Sequence, residues 1–189
     1  SLTSAQLNVL TAPALQAIET ADVQAIGTSQ ISNLSSAQLN SLTTDQVQSL
    51  TSVQLQALTT TQMLTLSSSQ VEAMTSAQVK VLSSTQLNAL GSTVIQALET
   101  GDLQALTTTQ TQALGAAQLN KLSSDQVQAL TSTQLQALSS TQLNGLSSDT
   151  VQALGSAQVN ALTTVQMGGL TAATLNKLST DQVADLSQD

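Results

Sequence analysis

The sequence predicts an all-α solenoid of very short capped helices, one for each eight-residue repeat. Three observations lead there. Aliphatic residues recur at two fixed places in every octad, a helix N-capping signature recurs in the same register, and the few charges sort to opposite ends of each unit. Counting from Leu2, the register holds without a slip through Asp185, giving 23 octads of the form L-[ST]-[ST]-x-Q-[LV]-[QN]-A. Position one is Leu except at Ile18, Ile26 and Met74. Position six is aliphatic except at Thr111, and position eight is small in most octads.

A single continuous helix does not fit this period. At about 100° per residue, eight residues advance about 800°, so the apolar pair rotates by about 80° from one octad to the next and no fixed face results. Supercoiling accommodates periods near about 3.5 or 3.67 residues per turn, and two turns per octad is outside that range. Paired Ser and Thr at positions two and three also weaken a long helix.

Read as one short helix, the octad is coherent. Ser or Thr at position two and Gln at position five form an S/T-x-x-Q capping box, in which the hydroxyl bonds the Gln N–H and the Gln side chain bonds back to the cap N–H. In the segment from Leu34 to Leu39, Ser35 and Gln38 take these roles, and Leu34 and Leu39 take the two hydrophobic-staple positions. Position two is Ser or Thr in 17 of the 23 octads and position five is Gln in 17, so the box is a property of the array.

The remaining octads keep the same logic. Pro13 falls in the first turn of its helix, where proline is tolerated. Gly27, Gly91, Gly115 and Gly155 replace the capping residue, another tolerated exchange. Glu19, Asp22, Asp45, Glu99, Asp102, Asp125, Asp149 and Asp181 stand at positions two, four or five, whereas Lys80, Lys121 and Lys177 stand at positions seven or eight. The helix dipole favours that arrangement; Glu72 and Asp185 depart from it. Lys121 and Lys177 read as solvated helix ends. Met63, Met74 and Met167 occupy apolar positions and read as core, and Gly168-Gly169 reads as a local irregularity or softer joint.

Helices this short are unstable alone, so stability must come from stacking, with positions one and six inward and Gln, Asn, Ser and Thr outward or capping. A parallel β-solenoid is the alternative fold. It requires a corner inside every octad, because positions one and six have opposite parity on a strand.

Two longer periods are visible. Octads 80 residues apart resemble each other, as LTTDQVQS from Leu42 does LSSDQVQA from Leu122, and Ala14, Val94 and Thr174, which replace the position-five Gln, share that spacing. Valine at Val23, Val47 and Val71 hints at three octads per superhelical turn, although later octads break it. The whole of residues 1–189 reads as one continuous repeat array, cut from a longer one, since it opens at Ser1 in mid-pattern and ends in a partial unit at Asp189.

Composition excludes most chemistry. The chain has no His, Cys, Phe, Tyr or Trp, and charged residues make up 7%. Without imidazole or thiolate there is no base for the many hydroxyls and no soft metal site. No residue is a candidate for catalysis, cofactor binding or metal ligation, no cofactor is expected, and the chain does not read as an enzyme. A net charge of −8 opposes nucleic-acid binding, and no apolar run is long enough to insert in a membrane. The Gly- and Asp-rich signature of calcium-binding β-rolls is absent.

The octad L-[ST]-x-x-Q-[LV]-x-A resembles the short repeats of large secreted or surface, adhesin-like proteins of Gram-negative bacteria. The resemblance implies export, an extracellular or cell-surface location, and an extended stalk, spacer or filament-forming role. Residues 42–47, Leu-Thr-Thr-Asp-Gln-Val, also resemble the opening of TAL-effector repeats. Here the repeat is far shorter and lacks the base-reading loop, so DNA reading does not carry over. Few charges and many amides favour lateral or end-to-end self-association, and the Ser/Thr rows are candidate acceptors for O-linked glycans. The competing class is a binding module, for ice or for glycans.

Overall fold

Each octad folds into one short α-helix, and in many of them the capping box forms as the sequence prescribes. In helix Thr44–Ser49, Thr43 is extended (φ −69°, ψ 163°), its hydroxyl accepts the Gln46 N–H at 3.2 Å, and Gln46 Oε1 accepts the Thr43 N–H at 3.0 Å. The helix ends when Leu50 donates its N–H to the Val47 carbonyl at 3.1 Å and then turns extended (φ −58°, ψ 131°). A position-one aliphatic residue therefore makes the corner. Among the described residues no φ is positive, which explains how so few glycines suffice.

The computed structural model describes residues 3–186; Ser1, Leu2, which opens the first octad, and Asp189 lie outside them. Among the described residues there are 23 α-helices of four to seven residues and no strand. The fold is thus the all-α solenoid of short capped helices, and the β-solenoid alternative falls.

The chain divides into two compact units, Ser1–Leu98 and Glu99–Asp189. In the first, helices three octads apart stack, as Thr28–Ser32 does on Ser52–Ala57 and Thr60–Thr65 on Ser84–Ala89. The second repeats the rule, with Thr108–Ala113 on Ser132–Ala137 and Ser156–Asn160 on Thr180–Leu186. Each unit therefore closes one turn every three octads, the number at which the early valines hint.

Positions one and six form the core. Leu39, Val47, Leu55, Met63 and Val71 are buried in the first unit, and Leu103, Leu119, Leu135 and Val151 in the second. Met63 and Met74 are buried and Met167 is half-buried, in keeping with core roles. Thr111, the polar exception at position six, is fully buried and donates its hydroxyl to the Thr107 carbonyl of its own helix at 3.1 Å. Internal voids in the second unit are about 10 and 20 Å³, lined by leucine, valine and threonine, too small for a ligand. No helix is long and apolar enough to cross a membrane among the described residues.

Candidate functional site

The most heavily bonded polar group in the molecule is the position-five glutamine, and it is not outward. Gln46, Gln54, Gln62, Gln70, Gln78 and Gln86 are all buried. Each uses its oxygen inside its own octad and its nitrogen one turn earlier. Gln62 Oε1 accepts the Thr59 N–H at 2.8 Å, while Nε2 donates to the carbonyls of Ile31 at 2.8 Å and Leu34 at 2.9 Å. Gln134 does the same in the second unit, accepting from the Thr131 N–H and donating to the carbonyls of Leu103, Gln104 and Leu106 at 2.7, 3.4 and 3.0 Å. These acceptors end one helix and make the corner after it. One amide thus ties the unsatisfied N–H end of its helix to the unsatisfied C=O end of a helix one turn earlier.

Sequence reasoning finds the cap and misses the clamp. The signal was present, because Glu serves a capping box as well as Gln, yet position five is Gln in 17 octads and never Glu, its carboxylates being the shorter Asp22 and Asp102. A carboxylate has no N–H to give to the carbonyls beneath it.

Position seven supplies a second amide that points forward. Asn120 Nδ2 donates to the Gly145 carbonyl at 3.0 Å, and Oδ1 accepts the Ser147 N–H at 2.8 Å. Asn144 repeats this with Gly169 and Thr171, both at 2.9 Å, and also accepts the Thr174 hydroxyl at 2.8 Å. Thr150 and Thr174 are the position-five residues of those later octads, so the asparagine 30 residues earlier caps the N-terminus that has lost its glutamine. Asn8 likewise accepts the Ser35 N–H at 2.9 Å, although that octad keeps its glutamine, Gln38. Octad 34–41 consequently departs from the expected capping box: the Ser35 hydroxyl accepts the Gln38 N–H at 3.3 Å, but Gln38 Nε2 turns to the Asn8 carbonyl at 2.8 Å and its buried Oε1 has no hydrogen-bond partner.

One other expectation is corrected. Lys121 and Lys177 are not solvated ends: both are half-buried, Lys121 Nζ donating to Gln118 Oε1 at 2.9 Å and Lys177 Nζ to the Leu146 carbonyl at 2.5 Å. The reason is that buried acceptors nearby need donors and a long flexible side chain can supply one. Gly169, of the pair read as a local irregularity, sits where two turns come close. A β-carbon there would lie 2.7 Å from Ser140 Cβ and 2.3 Å from its Oγ, and one on Gly145 would lie 2.7 Å from Ala116 Cβ. At these two position-eight glycines the neighbouring turns approach each other closely.

Outward variation concentrates at position four, which is exposed in every described octad and carries Ala, Pro, Ser, Asp, Val, Thr and Gly. In the first unit a cavity of about 500 Å³ is lined by Leu7, Ile18, Ile26, Glu19, Asp22 and Gln30 among others. Its leucine and isoleucines are position-one and position-six side chains of the kind that stacked turns cover elsewhere, and Ala17 and Ala25 come from position eight. Among the described residues no three carboxylates group to hold a metal ion.

A stack of similar short helices, joined by side-chain amides and core aliphatics that serve the neighbouring turns, defines a structural repeat protein of the α-solenoid class. The ALTTAQ repeat model matches residues 15–52, 95–132 and 129–164, together more than half of the chain, and the chain belongs to the ALTTAQ repeat family. No curated protein matches it.

Proposed function

We propose that the chain is a mechanical spacer, a stalk or filament-forming segment of an extracellular or cell-surface bacterial protein. The observation that carries this reading is where the octad directs its groups. Aliphatics at positions one and six pack between turns, and the amides at positions five and seven bond between turns. Adding octads adds the same contacts again, so length is the property that such a unit can vary freely. Self-association through the sparsely charged, amide-bearing surface belongs to the same reading. The mixed residues at position four do not form the uniform rows that an ice-binding face requires.

The test is a length series, with arrays carrying one, two and three copies of the 80-residue period compared by small-angle scattering. Stacked helices lie about 8–10 Å apart, so the longest dimension is expected to grow by about that much for every three octads added. A dimension that stays nearly constant as mass rises would sink the spacer reading. Saturable binding to ice or to a glycan array would replace it with the binding-module reading. Surface placement is checked by proteolysis of intact producing cells, where removal of the repeat from the cell exterior is expected.

A further inference from the structure

Two octads of the second unit lose the position-five glutamine to threonine, and their turns solve the loss differently. In octad 170–177, Thr174 leaves the Leu146 carbonyl without the amide N–H that Gln166 and Gln182 give to the corresponding carbonyls of Leu138 and Leu154. The ammonium of Lys177 takes that place, 2.5 Å from the Leu146 oxygen. In octad 146–153, Thr150 makes the same deletion one turn earlier, and the counterpart of Lys177 is Ala153, which has no donor to offer. No donor among the described residues reaches the Leu122 carbonyl oxygen, the counterpart of the one on Leu146.

A cleft of about 160 Å³ lies at this point, lined by Asn120, Leu122, Ser124, Asp149, Thr150 and Ala153 among others. Both ends of the Asn120 amide are engaged, by Gly145 and Ser147, and the Thr150 hydroxyl pairs with that of Ser147 at 2.9 Å. Leu122, Ser124 and Asp149 leave the cleft rich in acceptors: a backbone carbonyl, a carboxylate, and a hydroxyl that can accept as well as donate. Asp149, exposed and lining the cleft, stands where the Lys177 octad has Ala173, so this turn adds a negative charge beside the cleft.

We propose that this cleft binds a primary ammonium group, held as the Lys177 ammonium is held one turn later. The ligand class is a small protonated alkylamine. Its three N–H donors fit a site of acceptors, Asp149 balances its charge, and the volume admits a methylammonium-sized group with water.

The test is a titration of the whole ¹⁵N-labelled chain with methylammonium chloride, against tetramethylammonium chloride at equal ionic strength. The reporter is the Ser123 amide, which shares its peptide group with the Leu122 carbonyl. Methylammonium is expected to shift it saturably in the millimolar range, whereas tetramethylammonium, which has no N–H, is not. Ala153→Lys is expected to abolish the response by placing its own ammonium in the cleft. Asp149→Ala is expected to weaken it several-fold. Lys177→Ala is expected to open a second, weaker response at Ser147, which shares its peptide group with the Leu146 carbonyl. Equal shifts with the two cations, an unchanged response in Ala153→Lys, or no new response in Lys177→Ala would each overturn the proposal.

Discussion

The run from Gln46 to Gln86 in the first unit and the stretch from Asn120 to Lys177 in the second perform the same task with different residues. In the first, six consecutive octads carry the buried glutamine. In the second, Thr150 and Thr174 interrupt the series, and Asn120, Asn144 and Lys177 take over its separate duties. The glutamine's two duties separate there: at Thr174 other side chains reach both the N–H and the C=O, whereas at Thr150 only the N–H is reached. A buried N–H or C=O left unpaired costs about 1–3 kcal/mol, so the two losses differ in cost.

The largest effect is expected from Gln134→Glu. It keeps the size and the capping oxygen but turns a carboxylate toward the carbonyls of Leu103, Gln104 and Leu106. A loss on the order of 3–5 kcal/mol is expected at neutral pH. Burial against carbonyl oxygens raises the folded-state pKa of the introduced acid, because the protonated form can donate. Stability is therefore recovered as pH falls toward the ordinary glutamate value and is lost as pH rises through the folded one. Urea unfolding followed by far-UV circular dichroism at pH 4 and pH 7 checks this, with the deficit relative to the parent smaller at pH 4. A pH-independent deficit would break the account of the clamp.

Asn144→Ala comes next. It removes the partner of the Thr171 N–H, the Thr174 hydroxyl and the Gly169 carbonyl, and a loss of about 2–3 kcal/mol is expected. Thr174→Gln in the same background should restore most of that loss, since it rebuilds the clamp from within its own octad. If it does not, the two regions are not equivalent solutions.

Gly169→Ala pushes a methyl group against Ser140 and is expected to lose about 1–3 kcal/mol. Ser140→Gly should relieve part of it, which denaturation of the double variant would show. The smallest effect is expected at Gln56, whose Nε2 makes one exposed bond to the Val81 carbonyl at 3.3 Å. Gln56→Ala should change stability by less than about 0.5 kcal/mol. A loss as large as that of Asn144→Ala would mean that position seven matters everywhere, and not only above a missing glutamine. Unfolding of stacked repeats need not be all-or-none, so hydrogen exchange of the amides in the affected turn should accompany each measurement.

The octad reveals a great deal by itself: the helix in every unit, the cap at position two, the inward aliphatics at positions one and six, and the tolerance of Pro13 and Gly27 at helix starts. All of these depend on partners within a few residues, at offsets fixed by backbone geometry. The burial of Gln62, the service of Asn144 to Thr171, the bond of Lys177 to Leu146 and the tight approach at Gly169 were not legible in that way. Their partners lie 25 to 31 residues away, at distances set by closing each turn with three octads. That closure follows from how side chains of separate octads pack, so only the tertiary structure decided which amide meets which carbonyl.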